Sequence, residues 1–185
     1  MAGEAHMIRW LRDEALLILE GRGAILDVAR DVTRVLRDAD LDGAIIGGVA
    51  VVLHGYVRTT VDVDVFVSGP PADLAASLKA AGFSYSPTRR EFRKQTVPVH
   101  LVTTGQIRTP PHSYVEIDGI RTVSLPDLIA MKLSSGARDP LRAIDLADVI
   151  GLIRCRRLTP AFAAKLPAAL RPDFRKLARA ITKQR

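Results

Sequence analysis

Apolar residues recur along the chain at two spacings, which together predict alternating helices and strands. The predicted helices cover about 5–20, 24–38, 47–54, 70–81, 124–134 and 140–155, and two basic helices follow residues 159 and 171. The predicted strands cover about 43–46, 61–67, 83–86, 91–95 and 97–102, and an Asp118-Gly119 turn predicts a hairpin after them. This order of elements predicts an α/β (α+β) fold, in which helices flank a mixed β-sheet and the chain ends in a helical part.

The strand predicted at 61–67 carries two aspartates in the otherwise apolar sequence VDVDVFV. Residues two apart in a strand point to the same face and lie about 6.5 Å apart along the chain, so Asp62 and Asp64 stand together. The opposite face is expected to be filled by Val61, Val63, Val65 and Val67. Carboxylates on a half-buried sheet are unfavourable unless a cation or hydrogen bonds compensate them. The aspartate pair therefore predicts a cation site.

A glycine pair, Gly47-Gly48, lies between the strand at 43–46 and the short helix that follows it. A glycine turn lets backbone N–H groups approach a phosphate closely, and a helix N-terminus adds positive potential there. Paired carboxylates suit Mg²⁺, which in turn binds substrate phosphates, and two such ions can stabilise the attacking and leaving oxygens of a nucleotidyl transfer. The glycine pair and the aspartate pair together indicate a metal-dependent phosphate site.

The stretch GGVAVVLHGYVRTTVDVDVFV, residues 47–67, resembles the signature of the nucleotidyltransferase superfamily that includes DNA polymerase beta. That signature consists of Gly-Gly or Gly-Ser, a short helix, Arg-x-Thr, and then Asp-x-Asp on a strand. The later stretch VSLPDLIAMKLSSGARDPLRAIDLADVIGLI is similar to the C-terminal half of AbiEii-type and related small bacterial nucleotidyltransferases. The resemblance covers about residues 43–153 and implies a nucleotidyltransferase fold. We expect its core at 41–135, N-terminal helices at 1–40 packed on that core, and a C-terminal helical region at 136–185.

The same resemblance assigns roles to individual residues. It implies that Asp62 and Asp64 are catalytic and bind the metal. The residues that it implies for nucleotide binding are Gly47, Gly48, Arg58, Thr59, Lys132 and Asp145. Judged on the residues alone, Lys132 is equally well interpreted as an exposed lysine, and Asp145 with Asp148 as a solvated helix face.

One position departs from the superfamily pattern. Active members carry a third, catalytic carboxylate on a neighbouring strand, and the matching segment VPVHLVT has His100 at that position. A neutral histidine can act as a general base, or can ligate manganese or zinc better than magnesium. Two other interpretations stay open: the strand is misaligned and Glu91 or Glu116 supplies the acid, or His100 is a hydrogen-bonded strand histidine without a catalytic role.

Composition and charge narrow the class of protein. The chain is 48% hydrophobic and 25% charged, which is typical of a globular protein rather than a disordered or fibrous one. The longest uncharged apolar run, 44–53, is far shorter than the roughly 20 residues of a membrane helix, and the first 20 residues lack a secretory pattern, so we expect a cytoplasmic protein. The single cysteine excludes an intramolecular disulfide. The net charge of +7 indicates a polyanionic partner or, alternatively, only a generally basic surface.

Taken together, these patterns predict an enzyme that moves a nucleoside monophosphate from a nucleoside triphosphate to an acceptor and releases pyrophosphate. The expected cofactor is Mg²⁺ or Mn²⁺. Small bacterial relatives act on tRNA, proteins or antibiotics, and several are toxins of toxin–antitoxin or phage-defence pairs. The resemblance therefore implies tRNA, another RNA or a protein as acceptor, and an antitoxin as partner. The alternative is a degenerate nucleotidyltransferase fold that binds nucleotide or RNA without turnover, because His100 replaces the third carboxylate.

Overall fold

The computed structural model of the chain describes residues 7, 10, 13–18, 20–136 and 140–183. The helices, after a helical segment at 13–18, are α1 (Ala24–Asp38), α2 (Gly47–Leu53), α3 (Pro71–Ala80), α4 (Leu125–Gly136), α5 (Ala143–Cys155) and α6 (Arg171–Lys183). The strands are β1 (Gly43–Ile46), β2 (Val63–Val67), β3 (Ser84–Ser86), β4 (Glu91–Lys94), β5 (Val97–Thr103), β6 (Tyr114–Ile117) and β7 (Ile120–Val123). Short 3-10 helices lie at Thr104–Gln106, Pro140–Arg142, Pro160–Lys165 and Ala168–Leu170.

The strands form one seven-stranded sheet in the order β3-β4-β5-β2-β1-β7-β6. β2 pairs in parallel with β5 and β1 pairs in parallel with β7, whereas the other neighbours are antiparallel. The sheet is therefore mixed, and the predicted α/β (α+β) class with flanking helices is confirmed. β2 lies at the centre of the sheet, between β5 and β1.

The two faces of β2 pack into different apolar clusters. Val63, Val65 and Val67 are buried in a cluster with residues of α1 and α3. Phe66 points the other way, into a cluster formed with residues of α4, α5 and α6. Since residues two apart share a face, Asp64 lies on the same side of the sheet as Phe66. The carboxylate is therefore presented on the side that α4 and α5 cover.

Most predicted elements are confirmed, with differences at their ends. β2 begins at Val63 rather than at residue 61, so Val61 does not fill the valine face and is 47% exposed. The helix predicted after residue 159 is a 3-10 helix, Pro160–Lys165. The hairpin is confirmed, because Asp118 and Gly119 both have positive φ between paired Ile117 and Ile120. The helix predicted at 5–20 lies partly outside the described residues.

No helix within the described ranges is long and apolar enough to cross a membrane.

The C-terminal helix α6 buries Phe174, Ala178 and Ile181 in the cluster that also contains Phe66 of β2. The ring of Phe174 stacks at a tilt on that of Phe162, with 5.4 Å between the ring centroids. Packing thus joins the C-terminal part to the sheet, while the division of the chain at residues 40 and 135 stays a proposal.

We predict that Phe174→Ala lowers the free energy of unfolding by about 3–5 kcal/mol, because the ring is fully buried and its removal leaves a cavity. Trp10, the single tryptophan, packs against the other cluster and reports its unfolding by fluorescence during a urea titration. The Trp10 transition is expected to shift to lower urea along with the loss of helical circular dichroism. A Trp10 transition that stays in place while part of the helical signal is lost would show that α6 unfolds separately.

Candidate functional site

A cleft opens beside the first residues of β2. Its volume is about 730 Å³, within the range of small-molecule sites in proteins. One wall carries the aspartates, Asp62 and Asp64, together with the glycine pair at the start of α2. Other parts of the chain contribute further charged and polar side chains to the cleft. These are Arg58, Thr59, Thr60, Gln106, Arg108, Lys132, Ser134, Ser135, Arg142 and Asp145.

The glycine pair is required by close approaches of side chains. Gly47 has a φ of +67°, in the left-handed region, and a Cβ atom there would collide with the carboxylate of Asp64. A Cβ on Gly48 would collide with the hydroxyl of Thr60 and lie 3.2 Å from the Arg58 guanidinium. The absence of side chains at both positions therefore lets the acid pair and the Arg58 loop approach the start of α2.

Asp62, Asp64 and His100 form one compact group. Each offers a ligand atom, and these atoms lie within 4.8 Å of one another. Burial, and after it repulsion by Asp64, raise the pKa of Asp62 above its ordinary value, while the hydroxyl of Thr60 donates to Asp62 Oδ1 at 3.3 Å. A pair of carboxylates that repel each other in a partly desolvated site favours a bound cation.

His100 is placed in this group by strand pairing. β2 and β5 run in parallel with Asp64 opposite His100, and the Nδ1 atom of the imidazole lies 3.3 Å from Asp64 Oδ1 and 3.4 Å from Asp62 Oδ2. The hydrogen bond to Asp64 is the largest of the contributions that raise the pKa of His100 to about 9. The imidazolium form thus neutralises part of the acidic charge in the metal-free protein.

The other side of the imidazole faces Glu91. Its Oε2 lies 3.4 Å from His100 Nε2, and Arg93 Nε donates to Oε1 at 2.7 Å. Glu91 therefore belongs to the site through its contact with His100. The residue opposite Asp64 on β5 is His100 and not Glu91. Glu116 lies on the edge strand β6, separated from β2 by β1 and β7, and contacts Arg37.

The donor atoms of this group fit a divalent cation. Two carboxylates and an imidazole nitrogen are ordinary ligands of such ions, and they converge here without rearrangement of the backbone. Asp62, Asp64 and His100 are thus the residues that could hold a metal.

A second ionic group lies across the cleft, on α4 and α5. Lys132 Nζ lies 2.6 Å from Asp145 Oδ1 and 3.0 Å from Asp148 Oδ2. Arg58 forms a two-point ion pair with Asp148, Nε to Oδ1 at 2.6 Å and Nη2 to Oδ2 at 3.0 Å. Asp148 therefore joins Arg58 to Lys132, two of the cations that line the cleft.

The burial of this group decides between the interpretations of the sequence. Asp145 is 2% exposed and Asp148 0%, so the interpretation as a solvated helix face is wrong, as is that of Lys132, 8% exposed, as a surface lysine. Burial by itself raises the pKa of Asp145, but hydrogen bonds from Lys132 and Ser135 outweigh it and hold the pKa below its ordinary value. Arg142 Nε also donates to Asp145, at 2.7 Å.

The cleft brings together most of the site residues predicted from sequence. All six predicted nucleotide-binding residues line it, together with both aspartates. Thr59 is exposed and offers its carbonyl to Arg58, whereas the neighbouring Thr60 is buried and bonds Asp62. Thr60 and Asp148 were not assigned a role from sequence. The sequence signal for Asp148 is its spacing of three from Asp145, which places both carboxylates on one face of a mostly apolar helix.

Comparison with solved structures identifies the fold. An antigenic nucleotidyltransferase-like protein from Paracoccidioides brasiliensis superposes with a TM-score of 0.51 at 21% identity, over 69% of this chain and 74% of that chain. JHP933 from Helicobacter pylori superposes with a TM-score of 0.54 at 17% identity, over 86% of this chain and 91% of that chain. A candidate nucleotidyltransferase from H. pylori gives 0.52 at 16% identity, over 84% and 92%. The chain therefore has a nucleotidyltransferase-like fold. No protein-family model and no curated protein matches the sequence.

We predict that His100 titrates near pH 9 in protein freed of metal with a chelator, because the aspartates stabilise its charged form. Since this pKa lies above the ordinary 6.5, the ion pairs stabilise the fold fully below about pH 6.5, and that contribution is lost as the pH rises through about 9. NMR of the imidazole C–H signals measures the titration. His54 is the internal reference, because burial lowers its pKa. Titration of His100 near 6.5, unchanged by Asp64→Asn, would refute the assigned geometry.

Asp148→Asn is predicted to lower the free energy of unfolding by about 3 kcal/mol, because it removes the buried carboxylate between Arg58 and Lys132. Urea denaturation measures the change. Asp38→Asn makes the same chemical change at an exposed position and is expected to alter the free energy by less than about 0.5 kcal/mol. Equal effects of the two substitutions would mean that the ion pairs of Asp148 contribute nothing to the fold.

Proposed function

We propose that the chain is a metal-dependent nucleotidyltransferase, which moves a nucleoside monophosphate from a nucleoside triphosphate to an acceptor and releases pyrophosphate. One observation carries this proposal: a single cleft is lined both by the carboxylates of Asp62 and Asp64 and by two cations, the buried Lys132 and the half-buried Arg58. A metal-bound triphosphate has the complementary distribution of charge. The nucleotidyltransferase-like fold agrees with it, although similarity at 16–21% identity supports the fold alone.

Asp62 and Asp64, with His100 beside them, are the residues proposed to hold the metal, as Mg²⁺ or Mn²⁺. A bound divalent ion would neutralise charge on the reacting phosphate and lower the pKa of an attacking hydroxyl. Burial and repulsion by Asp64 raise the pKa of Asp62, so its carboxylate is the proposed acceptor of the proton from the attacking hydroxyl. The proposed role of the acid group is therefore both to bind the ion and to receive the proton.

The remaining cleft residues are proposed to bind and orient the nucleotide. Lys132 directs its ammonium group at Asp145 and Asp148, and an ammonium has a third N–H that can donate to a phosphate oxygen. The Gly47-Gly48 turn brings backbone N–H groups to the same space. In the reaction, an acceptor oxygen forms a bond to the α-phosphorus, the bond from that phosphorus to the bridging oxygen breaks, and pyrophosphate leaves with the electron pair.

An RNA such as tRNA is the proposed acceptor class. A basic groove, defined by Arg175, Lys176, Arg179 and Lys183, follows the exposed side of α6 and has a volume of about 820 Å³. Such a row of cations suits the phosphates of a nucleic acid. A protein acceptor would not need it. The antitoxin partner and the AbiEii-type subfamily stay predictions that rest on the resemblance of the sequence.

A second candidate function is nucleotide binding without turnover. His100 favours it, since it lies beside Asp64 where active superfamily members are expected to carry a carboxylate. The raised pKa of His100, about 9, keeps it protonated at neutral pH in the metal-free protein, and an imidazolium neither accepts a proton nor ligates a metal. Catalysis then requires that a bound ion displaces this proton.

The test incubates the purified protein with each labelled nucleoside triphosphate, Mg²⁺ or Mn²⁺, and total tRNA. We predict that label is transferred to RNA, and that Asp62→Asn/Asp64→Asn lowers the rate by at least about 100-fold because the metal is lost. Asp38→Asn/Asp173→Asn removes two carboxylates from exposed positions outside the cleft and is expected to keep the activity. Equal rates for the two double variants would refute the proposal.

A different result is that no label is transferred although nucleotide binds, and that this binding requires both metal and the aspartates. Such a result would favour nucleotide binding without turnover. His100→Asp then tests degeneracy directly, since a strong gain of transfer over a silent parent is expected only if the histidine is what prevents turnover.

A further inference from the structure

We propose that Glu91 is a positioning residue that orients His100 so that Nδ1 ligates the metal held by Asp62 and Asp64, and that the resulting site prefers Mn²⁺ to Mg²⁺. This inference rests on the metal site of the proposed function and specifies which residues set its choice of ion. It concerns His100, the residue by which the ligand group departs from an all-carboxylate one, and Glu91, which lies behind His100.

The two ring nitrogens of His100 face different partners. Nδ1 faces Asp62 and Asp64 at 3.4 and 3.3 Å, and Nε2 faces Glu91 at 3.4 Å. A neutral imidazole carries one N–H and one lone pair. With a cation between Nδ1 and the aspartates, the remaining proton would be held on Nε2, where Glu91 can accept it, and the lone pair of Nδ1 would be free for the ion.

Glu91 is itself held in place. Its side chain is 9% exposed, and its Oε1 atom accepts a hydrogen bond from Arg93, so that Oε2 is turned towards the imidazole. β4, which begins at Glu91, pairs with β5, which carries His100, so the two side chains are fixed on neighbouring strands. A carboxylate that orients a ligating histidine through its second nitrogen is a recurrent arrangement at protein metal sites, and its loss costs about 10- to 100-fold in metal affinity.

The donor set determines the expected ion. Two aspartates alone suit hard ions, among them both Mg²⁺ and Mn²⁺. An imidazole nitrogen is a softer ligand, which a first-row transition ion accepts more readily than Mg²⁺ does. Mn²⁺ satisfies both parts of the donor set. The site is therefore expected to bind Mn²⁺ more tightly than Mg²⁺, by an amount that depends on His100 being correctly oriented.

The experiment measures the binding of MnCl₂ and of MgCl₂ to the full chain by calorimetry, without nucleotide or acceptor. Glu91→Gln keeps the size of the side chain and removes its charge. Glu116→Gln is the matched control, since it changes a strand glutamate on β6, the edge strand at the far end of the sheet from β4. We expect Glu91→Gln to weaken Mn²⁺ binding by about 10-fold or more and Mg²⁺ binding by much less. Glu116→Gln should leave both affinities as in the parent.

Electron spin-echo modulation of bound Mn²⁺ provides an independent signal, because it detects a coordinated nitrogen directly. The parent is expected to show nitrogen coupling at saturating Mn²⁺, and His100→Asp to lose it and to bind the two ions with more similar affinities. Thermal unfolding of each variant checks that the substitution has left the fold intact. A purely structural role of Glu91 would change stability without changing the ratio of the two affinities.

Several results would overturn the inference while leaving the proposed function intact. These are equal affinities of the parent for Mn²⁺ and Mg²⁺, Mn²⁺ bound without nitrogen coupling, or Glu91→Gln weakening both ions by the same factor. If the parent bound neither ion, and a repeat titration with a nucleoside triphosphate present also showed no binding, the metal-dependent function would fail together with the inference. Metal-binding data alone therefore distinguish the two failures.

Discussion

The parallel pairing of β2 with β5 places His100 beside Asp64, and the charged groups of the site are arranged around this contact. β2 lies at the centre of the sheet, and its valine face is packed under α1 and α3, so the strand cannot shift its register without exposing that face. The register in turn fixes which residue of β5 meets the carboxylates. A one-residue slip would turn His100 away and bring an apolar neighbour into its place.

Two ionic groups face the same cleft, and each compensates charge that burial would otherwise make unfavourable. In one group, His100 lies among Asp62, Asp64 and Glu91. In the other, Asp148 joins Arg58 to Lys132. The first group has more carboxylates than cations and is the proposed site of the metal ion. The second presents cations to the cleft, where the phosphates of the proposed nucleotide would bind.

The features that sequence reveals are those set by local periodicity. The spacing of Asp62 and Asp64 predicts that their carboxylates stand together, and both offer a ligand atom to the same compact group. The close approach of a phosphate to the glycine pair stays a prediction, whereas the structure shows that the side chains of Asp64 and Thr60 approach the two glycines. The proximity of Glu91 to His100 depends on the pairing of β4 with β5, and the burial of Asp148 depends on how α5 packs on α4. Neither the pairing of two strands nor the packing of two helices is visible as a pattern of neighbouring residues in the sequence. The exposure of Val61 is likewise not visible in the local pattern. Val61 belongs to the loop that carries Arg58 and Thr60, and β2 begins only at Val63.

The most direct test of the account is the crystal structure of the chain with Mn²⁺ and a non-hydrolysable nucleoside triphosphate analogue, with data collected at the manganese absorption edge. We expect an anomalous peak within ligand distance of Asp62 and Asp64, and the triphosphate between the Gly47-Gly48 turn and Lys132. A nucleotide bound elsewhere, or manganese bound away from both aspartates, would contradict it.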